Sequence, residues 1–282
     1  MTDLWIFLRM ERRGEQMIPK VIHYCWFGGN PLPELALKCI DSWKNFFPDY
    51  EIKEWNESNF DLTSCDYIKE AYQAKKWAFV SDYARFKILY EFGGLYFDTD
   101  VEVIKNMDDI INNGPFMGTE PTTFVTAGLG LAANSGLGLY KEILDFYGTI
   151  HFILPNGQLN EHTVVEYVTE ILKKHGHKPS AGITKVNDII IYPAEYFCPQ
   201  NYDTGVLTIT DNTRSIHHYS ATWHSKLDDM VAKIEKCKNR NGIEFKIRRC
   251  VSFPFRFVNK IDKLGWKKTI NFTWKKLIRC KN

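Results

Sequence analysis

The strongest pattern in this sequence is a helix that leads through two glycines into a strand with two acids. Aromatic residues recur at helical spacing within residues 79–92, at Phe79, Tyr83, Phe86 and Tyr90. Gly93 and Gly94 end this helix, and the following LYFDTDV predicts a strand over residues 95–101. A helix joined this closely to a strand favours a layered α/β fold.

Similar patterns continue this alternation along the chain. Further helices are predicted over residues 35–47, 65–75, 137–147 and 162–175. Further strands are predicted over residues 18–27, 50–55, 116–119, 188–192, 206–210 and 214–219. The expected fold class is therefore α/β, with a Rossmann-like mixed sheet that binds ligands at the carboxyl ends of its strands.

The composition is that of an ordinary soluble enzyme. Of the 282 residues, 44% are apolar and 25% are charged, which allows one large domain or a domain with a tail. No run of about 18 uncharged apolar residues occurs, so no transmembrane helix is expected, and the apolar run 4–8 is too short for a signal peptide. The seven cysteines form no CxxC pair, which favours reduced thiols in a cytosolic protein.

Charge is unevenly distributed. Residues 237–282 hold 14 Lys and Arg against 2 Asp and Glu, a net charge of +12, which leaves −10 for the rest of a chain whose total is +2. Aromatic residues such as Trp266 and Trp274 lie among these cations, a pattern typical of binding to an anionic membrane surface. The alternative is a solvated basic helical cap. We predict an extension over 1–17, a main domain over 18–236 and a basic, aromatic helical tail over 237–282.

Asp98 and Asp100 are candidate metal ligands. Residues at positions i and i+2 of a strand point to the same face, and two carboxylates placed together repel each other unless a cation lies between them. Mg²⁺ and Mn²⁺ take hard oxygen ligands, commonly one or two carboxylates together with substrate phosphates. The alternative is an exposed edge strand with two solvated acids.

Asp82 and Arg85 are candidate substrate-binding residues. They stand three positions apart and therefore share one face of the predicted helix 79–92. An aspartate here can bind sugar hydroxyls, and the arginine can bridge the donor and its phosphate. The alternative is a surface ion pair, which contributes only ~0.5 kcal/mol.

The string SDYARFKILYEFGGLYFDTDV, residues 81–101, strongly resembles the DxD-containing sugar-binding family of glycosyltransferases, glycosyltransferase family 32. Its members include yeast initiating mannosyltransferases and bacterial capsular polysaccharide transferases, and the glucosylating clostridial toxins are similar at a greater distance. IPKVIHYCWFGG, residues 18–29, is similar to the family's first strand. The resemblance covers residues 18–117 and implies a glycosyltransferase-A fold for the main domain and a retaining reaction.

The resemblance implies that the turn after the first strand contacts a nucleotide-sugar donor. Trp26 then stacks on the base, with Phe27 and Gly28 beside it; a core tryptophan is the alternative. Asp82 and Arg85 are similar to the family's sugar-binding pair.

The resemblance also implies a metal centre that holds Mn²⁺ or Mg²⁺. Asp98 then lies near the ribose and the metal, and Asp100 binds the metal directly. In related transferases a further ligand stands five positions before a tryptophan that closes over the donor, and His218 and Trp223 have this spacing. Imidazole suits such metals. The alternative for the pair 217–218 is one packed and one exposed histidine.

Together these features predict a retaining, metal-dependent glycosyltransferase. It would move a sugar from a nucleotide-sugar, with a UDP-sugar favoured, to a glycan or lipid-linked acceptor in polysaccharide biosynthesis. The protein is expected in the cytoplasm, at the inner face of the membrane if the tail binds anionic lipid, and without a nucleic-acid partner. The alternatives are a toxin-like protein glycosyltransferase, a non-catalytic nucleotide-sugar binding module and a metal-dependent nucleotide hydrolase.

Overall fold

The computed structural model describes residues 17–202, 205–220, 234, 247–248, 251–255 and 258. Trp223, residues 1–16 and most of the predicted tail therefore lie outside the described residues. The roles predicted for them stay predictions.

Contacts divide the chain into two units. The first comprises residues 1–201 and 206–219, and the second comprises 202–205 and 220–282. In the second unit the Arg248 guanidinium donates a hydrogen bond of 3.3 Å to the Ile234 carbonyl. All the elements named below belong to the first unit.

The helices of the first unit are α1 (Glu34–Phe46), α2 (Asp66–Gln73), α3 (Trp77–Phe92), α4 (Asp108–Ile111), α5 (Gly138–Tyr147), α6 (Val164–Lys174) and α7 (Ala194–Phe197). The five predicted helices lie close to their predicted positions, and the described residues of the first unit contain two further short helices, α4 and α7, that the sequence did not predict. Helix α3 ends as the sequence predicts, because Gly93 adopts a φ of 66° and its N–H bonds to Leu89. No helix in the described part of the chain is long and apolar enough to cross a membrane.

The strands form a mixed sheet, as predicted. They are β1 (Val21–Cys25), β2 (Glu51–Trp55), β3 (Gly94–Tyr96), β4 (Val101–Val103), β5 (Phe116–Thr119), β6 (Val125–Thr126), β7 (Leu131–Ala133), β8 (Thr184–Val186), β9 (Ile189–Tyr192) and β10 (Ser215–His217). The main sheet has the order β2-β1-β3-β7-β5-β9-β8, with β6 paired to β5. Strand β1 is parallel to β2 and β3, and β5 is parallel to β9, whereas β7 is antiparallel to β3 and β5.

Two of the predicted strands differ in the structure. The strand predicted over residues 95–101 is divided, because β3 pairs within the main sheet whereas β4 pairs with β10 in a separate two-stranded sheet. Residues 206–210 form no strand and contribute a single bridge, between Gln200 and Leu207. Their Val206, Leu207 and Ile209 side chains are exposed, so the apolar run there does not indicate a buried strand.

Apolar side chains form two core clusters. One draws on α2, α3, α5 and α6, through residues such as Ile68, Phe86, Tyr140 and Val168. The other draws on α1, α4 and α7, through residues such as Trp43, Ile110 and Phe197. Leu95 and Tyr96, adjacent on β3, belong to different clusters, as expected of a central strand whose side chains alternate between two faces. The layered α/β class predicted from the sequence is confirmed.

His23 joins three segments at the centre of the sheet. The Trp55 indole N–H donates to His23 Nδ1 at 3.0 Å, and His23 Nε2 donates to the Gly93 carbonyl at 3.0 Å. The imidazole is 1% exposed, and this burial lowers its pKa to about 4. A neutral imidazole therefore links β1 to β2 and to the end of α3.

Candidate active site

The two acids of the DTD sequence lie in a turn and not on a strand. Strand β3 ends at Tyr96 and β4 begins at Val101, and the Val101 N–H donates to the Asp98 carbonyl at 3.0 Å, the bond of a β-turn. The expectation that strand alternation places Asp98 and Asp100 on one face is therefore wrong. The chain has to change direction here because it passes from one sheet to another.

Arg85 joins the helix α3 to this turn. Its Nη2 lies 3.1 Å from Asp82 Oδ1 and 3.1 Å from Asp98 Oδ1, and its Nε donates to the Ser81 carbonyl at 3.1 Å. The guanidinium is only 4% exposed. The pair of Asp82 and Arg85 is therefore buried, in contrast to the surface ion pair that was the alternative.

Burial dominates the electrostatics of Asp82. It raises the pKa of this carboxyl to about 7, although the Arg85 charge opposes the rise and the Asp98 charge adds to it. The Val164 backbone, at the start of α6, also favours the charged form of Asp82 and opposes the rise in its pKa.

Asp98 is held on three sides. Besides Arg85, the Tyr96 hydroxyl donates to Asp98 Oδ1 at 3.0 Å, and the Asp98 N–H donates to the Gly128 carbonyl at 3.2 Å. A Cβ atom at position 128 would lie 2.0 Å from Asp98 Oδ2, so only glycine admits the observed carboxylate position. The sequence pattern does not identify Gly128 as a contact of Asp98.

The histidine that contacts Asp100 is not the one predicted by spacing. His217 Nε2 lies 3.3 Å from Asp100 Oδ1, whereas His218 Nε2 lies 2.7 Å from Glu102 Oε2. The His218 backbone N–H donates to the Asp100 carbonyl at 3.0 Å. The His218 side chain thus contacts Glu102 and the His217 side chain contacts Asp100. The role of His218 as a metal ligand stays a prediction.

His217 lies in a partly buried polar cluster that the sequence does not reveal. Its ring centroid is 4.3 Å from that of Tyr219, whose hydroxyl lies 2.8 Å from Cys198 Sγ. Burial favours neutral His217, but its contacts with Asp100 and Cys198 more than offset this and raise its pKa to about 10. The sequence left open which histidine of the pair 217–218 is packed. It gave no sign that His217 lies close to Asp100.

The DTD turn can supply part of the coordination shell of a divalent cation, with the substrate supplying other ligands. Within the described ranges, no group of three or more His, Cys, Asp and Glu side chains could hold a metal by itself. Asp98 and Asp100 nevertheless supply carboxylate oxygens from a single turn, and Mg²⁺ or Mn²⁺ commonly combine one or two carboxylates with phosphate oxygens and water. These two residues therefore suit an ion completed by a bound diphosphate.

The three donor contacts predicted in the turn after β1, Trp26, Phe27 and Gly28, have different surroundings. The half-buried Trp26 donates its indole N–H to the Asn30 carbonyl at 2.6 Å. Phe27 is 5% exposed and packs edge-on against Phe60, with ring centroids 6.0 Å apart. The Phe27 side chain is therefore part of the core, and its place beside the donor stays a prediction.

Gly28 opens a groove that the sequence analysis missed. The groove has a volume of about 550 Å³ and is lined by Gly28, Gly29, Asn30, Glu57, Tyr72, Lys75 and Trp77. The Tyr72 and Trp77 rings lie 5.2 Å apart. A Cβ at position 28 would lie 2.6 Å from the Trp77 indole nitrogen, so the glycine allows the ring to approach the turn. Trp77 begins α3, the helix that carries Asp82 and Arg85.

Comparison with known proteins identifies the central part of this site. Residues 33–117 match the profile of the family described as "Glycosyltransferase sugar-binding region containing DXD motif". Inositol phosphoceramide mannosyltransferase 3 of Schizosaccharomyces pombe is 32% identical over 99 residues, which are 34% of this chain and 28% of that protein. An uncharacterized glycosyltransferase of Acanthamoeba polyphaga mimivirus is 33% identical over 109 residues, which are 36% of this chain and 42% of that protein. The chain thus spans less than half the length of these relatives.

Two solved structures are similar at low identity. The PaToxG glycosyltransferase has a TM-score of 0.41 and 18% identity, and the match covers 56% of this chain and 68% of that one. A glycosyltransferase involved in the glycosylation of the major capsid of PBCV-1 has a TM-score of 0.38 and 12% identity, and the match covers 73% of this chain and 95% of that one. The likeness rests on the family profile and the sequence relatives. Residues 33–117, which include Asp82, Arg85 and the DTD turn, are similar to the glycosyltransferase sugar-binding region of the DXD-containing family.

Proposed function

We propose that this protein is a metal-dependent glycosyltransferase that uses a nucleotide-sugar donor. The observation that carries the proposal is the contact of one buried guanidinium, that of Arg85, with both Asp82 and Asp98. Buried charges are costly unless they are paired, so this arrangement holds two carboxylates and a cation at the carboxyl end of β3. In open α/β sheets that edge is where ligands bind.

The groove beside Gly28 supports a nucleotide as the ligand. Two aromatic rings, those of Tyr72 and Trp77, line it, and a base stacked on such a ring gains ~1–3 kcal/mol. The same helix then carries Asp82 about one and a half turns beyond Trp77. We infer that the base lies in the groove, with Trp26 close to it, and that the sugar lies against Asp82. A UDP-sugar remains the favoured donor.

The residues of the DTD turn would stabilise the nucleoside diphosphate as it leaves the sugar. Transfer breaks the bond between the anomeric carbon and the diphosphate, and negative charge develops on the leaving group. Mn²⁺ or Mg²⁺ bound by Asp98 and Asp100 would neutralise that charge. Arg85, fixed by its two carboxylates, adds a positive potential that needs no reorganisation during the reaction. We propose that the reaction retains the configuration at the anomeric carbon.

The acceptor and the location of the enzyme are proposed from the sequence. The net charge of +12 over residues 237–282 and the aromatic residues among these cations support an anionic membrane surface as a partner. We propose a glycan or lipid-linked acceptor in polysaccharide biosynthesis, modified at the cytoplasmic face of a membrane.

Donor turnover tests this function. The purified full chain is incubated with Mn²⁺ and a panel of UDP- and GDP-sugars, and release of the nucleoside diphosphate is measured with and without extracted glycolipid. The proposal is supported if the nucleoside diphosphate is released from at least one donor and if this release requires Arg85. Arg85→Lys, which keeps the charge but cannot contact both carboxylates in the same way, should lose most turnover. A folded protein that binds and turns over no nucleotide-sugar contradicts it.

A further inference from the structure

A hairpin with one acidic and one aromatic side chain lies close to the DTD turn. It joins β5 to β6 through residues 120–124, and the Glu120 N–H donates to the Phe124 carbonyl at 2.9 Å. Gly128 follows Phe124 after four residues, which span at most ~13 Å of extended chain. The Gly128 carbonyl accepts from the Asp98 N–H at 3.2 Å. The hairpin is therefore near the place where we propose that the donor sugar binds.

The register of the hairpin puts its acid and its aromatic ring on one face. Strands β5 and β6 are antiparallel, with Thr119 opposite Val125, so Glu120 is opposite Phe124. Side chains that are directly opposite in an antiparallel pair point to the same face, with Cβ atoms ~4.5–5.5 Å apart. The carboxylate and the phenyl ring are therefore neighbours.

This face is on the same side of the sheet as the contacts of Asp100. Side chains alternate along a strand, so Glu120 shares its face with Gly118, where an added Cβ would lie 2.7 Å from the Phe197 ring. Phe197 ends α7, and the next residue, Cys198, belongs to the polar cluster that contains the histidine partner of Asp100. The hairpin side chains thus lie on the side that carries α7 and this cluster.

The tip of the hairpin is held in one conformation. The Thr123 N–H donates to the Glu120 carbonyl at 2.8 Å, and Pro121 takes the second position of this turn, where its fixed φ is favoured. Thr123 has a φ of 68°, which a β-branched residue seldom adopts. Backbone strain of this kind is concentrated at binding and catalytic sites. The strained tip therefore favours a function for the hairpin.

Both side chains are available to a ligand. Phe124 is 40% exposed and, among the described residues, belongs to neither core cluster. The Glu120 carboxylate accepts from the Thr122 hydroxyl at 3.5 Å, a long and weak bond, so it can accept further hydrogen bonds. A phenyl ring beside a carboxylate suits a sugar, which presents C–H groups on the face of its ring and hydroxyls at its edge.

We propose that Glu120 and Phe124 form an acceptor subsite, and that the group bound there is a sugar ring. Phe124 packs against one face of this ring, and Glu120 accepts hydrogen bonds from its hydroxyls. The inference rests on the proposed glycosyltransferase function, because the sugar bound here is the one that receives the donor sugar.

The first test separates the acceptor from the donor. Full-length Glu120→Gln and Phe124→Ala are assayed with Mn²⁺, the preferred nucleotide-sugar and methyl glycosides of glucose, galactose, mannose and N-acetylglucosamine. The KM for the best glycoside should rise about tenfold in both variants, the effect of one lost contact of this strength. The KM for the donor and the release of nucleoside diphosphate to water should be unchanged.

Thr122→Ala is the matched control, because Thr122 lies in the same turn but outside the opposed pair. It should keep the wild-type KM for the glycoside. An unchanged glycoside KM in Glu120→Gln and Phe124→Ala overturns the inference. A parallel loss of donor release to water also overturns it, since the pair would then act on the donor or on the fold.

The second test needs no turnover. Saturation-transfer NMR detects binding of the same methyl glycosides to the full-length protein, with and without UDP or GDP and Mn²⁺. At least one glycoside should receive saturation at its ring C–H protons from the wild-type protein and from Thr122→Ala, and Phe124→Ala should lose this signal. A wild-type protein that binds none of the glycosides, or a signal that persists in Phe124→Ala, overturns the inference.

The two tests together separate the subsite from the proposed function. If a glycoside binds through Phe124 but no nucleotide-sugar is turned over, the proposed function fails and the sugar-binding site remains. If the donor is turned over but neither glycoside KM nor glycoside binding depends on the pair, the subsite fails and the proposed function remains.

Discussion

His217, the last residue of β10, contacts Asp100 in the DTD turn, with Nε2 3.3 Å from Oδ1, while its neighbour His218 contacts a different acid. Glu102 accepts from His218 and from Lys38, at 2.7 and 2.9 Å. The acid that we propose as the direct metal ligand therefore has a partly buried imidazole as its partner. That imidazole comes from β10, which lies about 115 residues further along the chain.

The pair of histidines gives the first prediction. Removing a residue that orients a metal ligand typically costs 10–100-fold in metal affinity or activity, so His217→Ala should weaken Mn²⁺ binding by at least about tenfold. His218→Ala, the control, loses only a contact with Glu102 and should change Mn²⁺ affinity by less than about threefold. Electron paramagnetic resonance of free Mn²⁺ measures both. A larger loss in His218→Ala would favour the prediction from spacing.

Gly128 gives the second prediction. A methyl group here would lie 2.0 Å from Asp98 Oδ2, so Gly128→Ala must displace the carboxylate. Misplacement of a site residue by about 1 Å can cost about 100-fold in turnover, and we expect a loss of that order with a nearly unchanged melting temperature. Gly138→Ala is the control, since no atom lies within 4 Å of its added Cβ. Equal activity in the two variants would contradict the conclusion that Gly128 is needed for the position of the Asp98 carboxylate.

The third prediction concerns the cation. Chelation should abolish donor turnover and Mn²⁺ should restore it, because the acids of the DTD turn repel a diphosphate when no metal is bound. Asp100→Asn should cost at least about 100-fold in turnover, as expected for a preorganised electrostatic group. Glu102→Gln serves as the control acid two positions further on. Full turnover in excess chelator would remove the metal from the mechanism.

The fourth prediction concerns pH and His23. Because the folded pKa of about 4 lies below the ordinary value of 6.5, the unfolded chain binds the proton first. The contribution of His23, about 3 kcal/mol, is fully present above pH 6.5 and is lost as the pH falls towards 4. Urea unfolding at a series of pH values should show stability falling over this range, with a shallower slope in His23→Gln. An unchanged slope in His23→Gln would contradict the burial argument.

Local pattern was sufficient for most helices and for the sheet class. The aromatic spacing of 79–92 and the double glycine predict α3 and β3 correctly, because both signals depend on residues within one or two turns. Short strands such as β7 (Leu131–Ala133) carry no such signal, since three buried residues fit many structures. The division of the strand 95–101 depends on β10, a partner that local pattern does not identify.

The site was predictable where its residues are adjacent in sequence. Asp82 and Arg85 contact each other as their spacing predicts, but the second contact of Arg85, with Asp98, depends on how α3 packs on β3. Which histidine faces Asp100 depends on the register of β10 against β4. In the sequence, nothing distinguishes Trp77 from the other aromatic residues near this helix. Its position beside Gly28 follows only from the fold.

The DTD turn is anchored to a different sheet at each end. Tyr96, the last residue of β3, is paired with β7, and Val101, the first of β4, is paired with β10. An insertion or deletion between these anchors would move one acid away from Arg85 or the other away from His217, so the length of this connection is constrained. Residues 153–159, closed by a bridge between Ile153 and Leu159, belong to neither sheet and can change in length without moving the acids. Homologues are therefore expected to vary in length there while the DTD connection keeps a constant length.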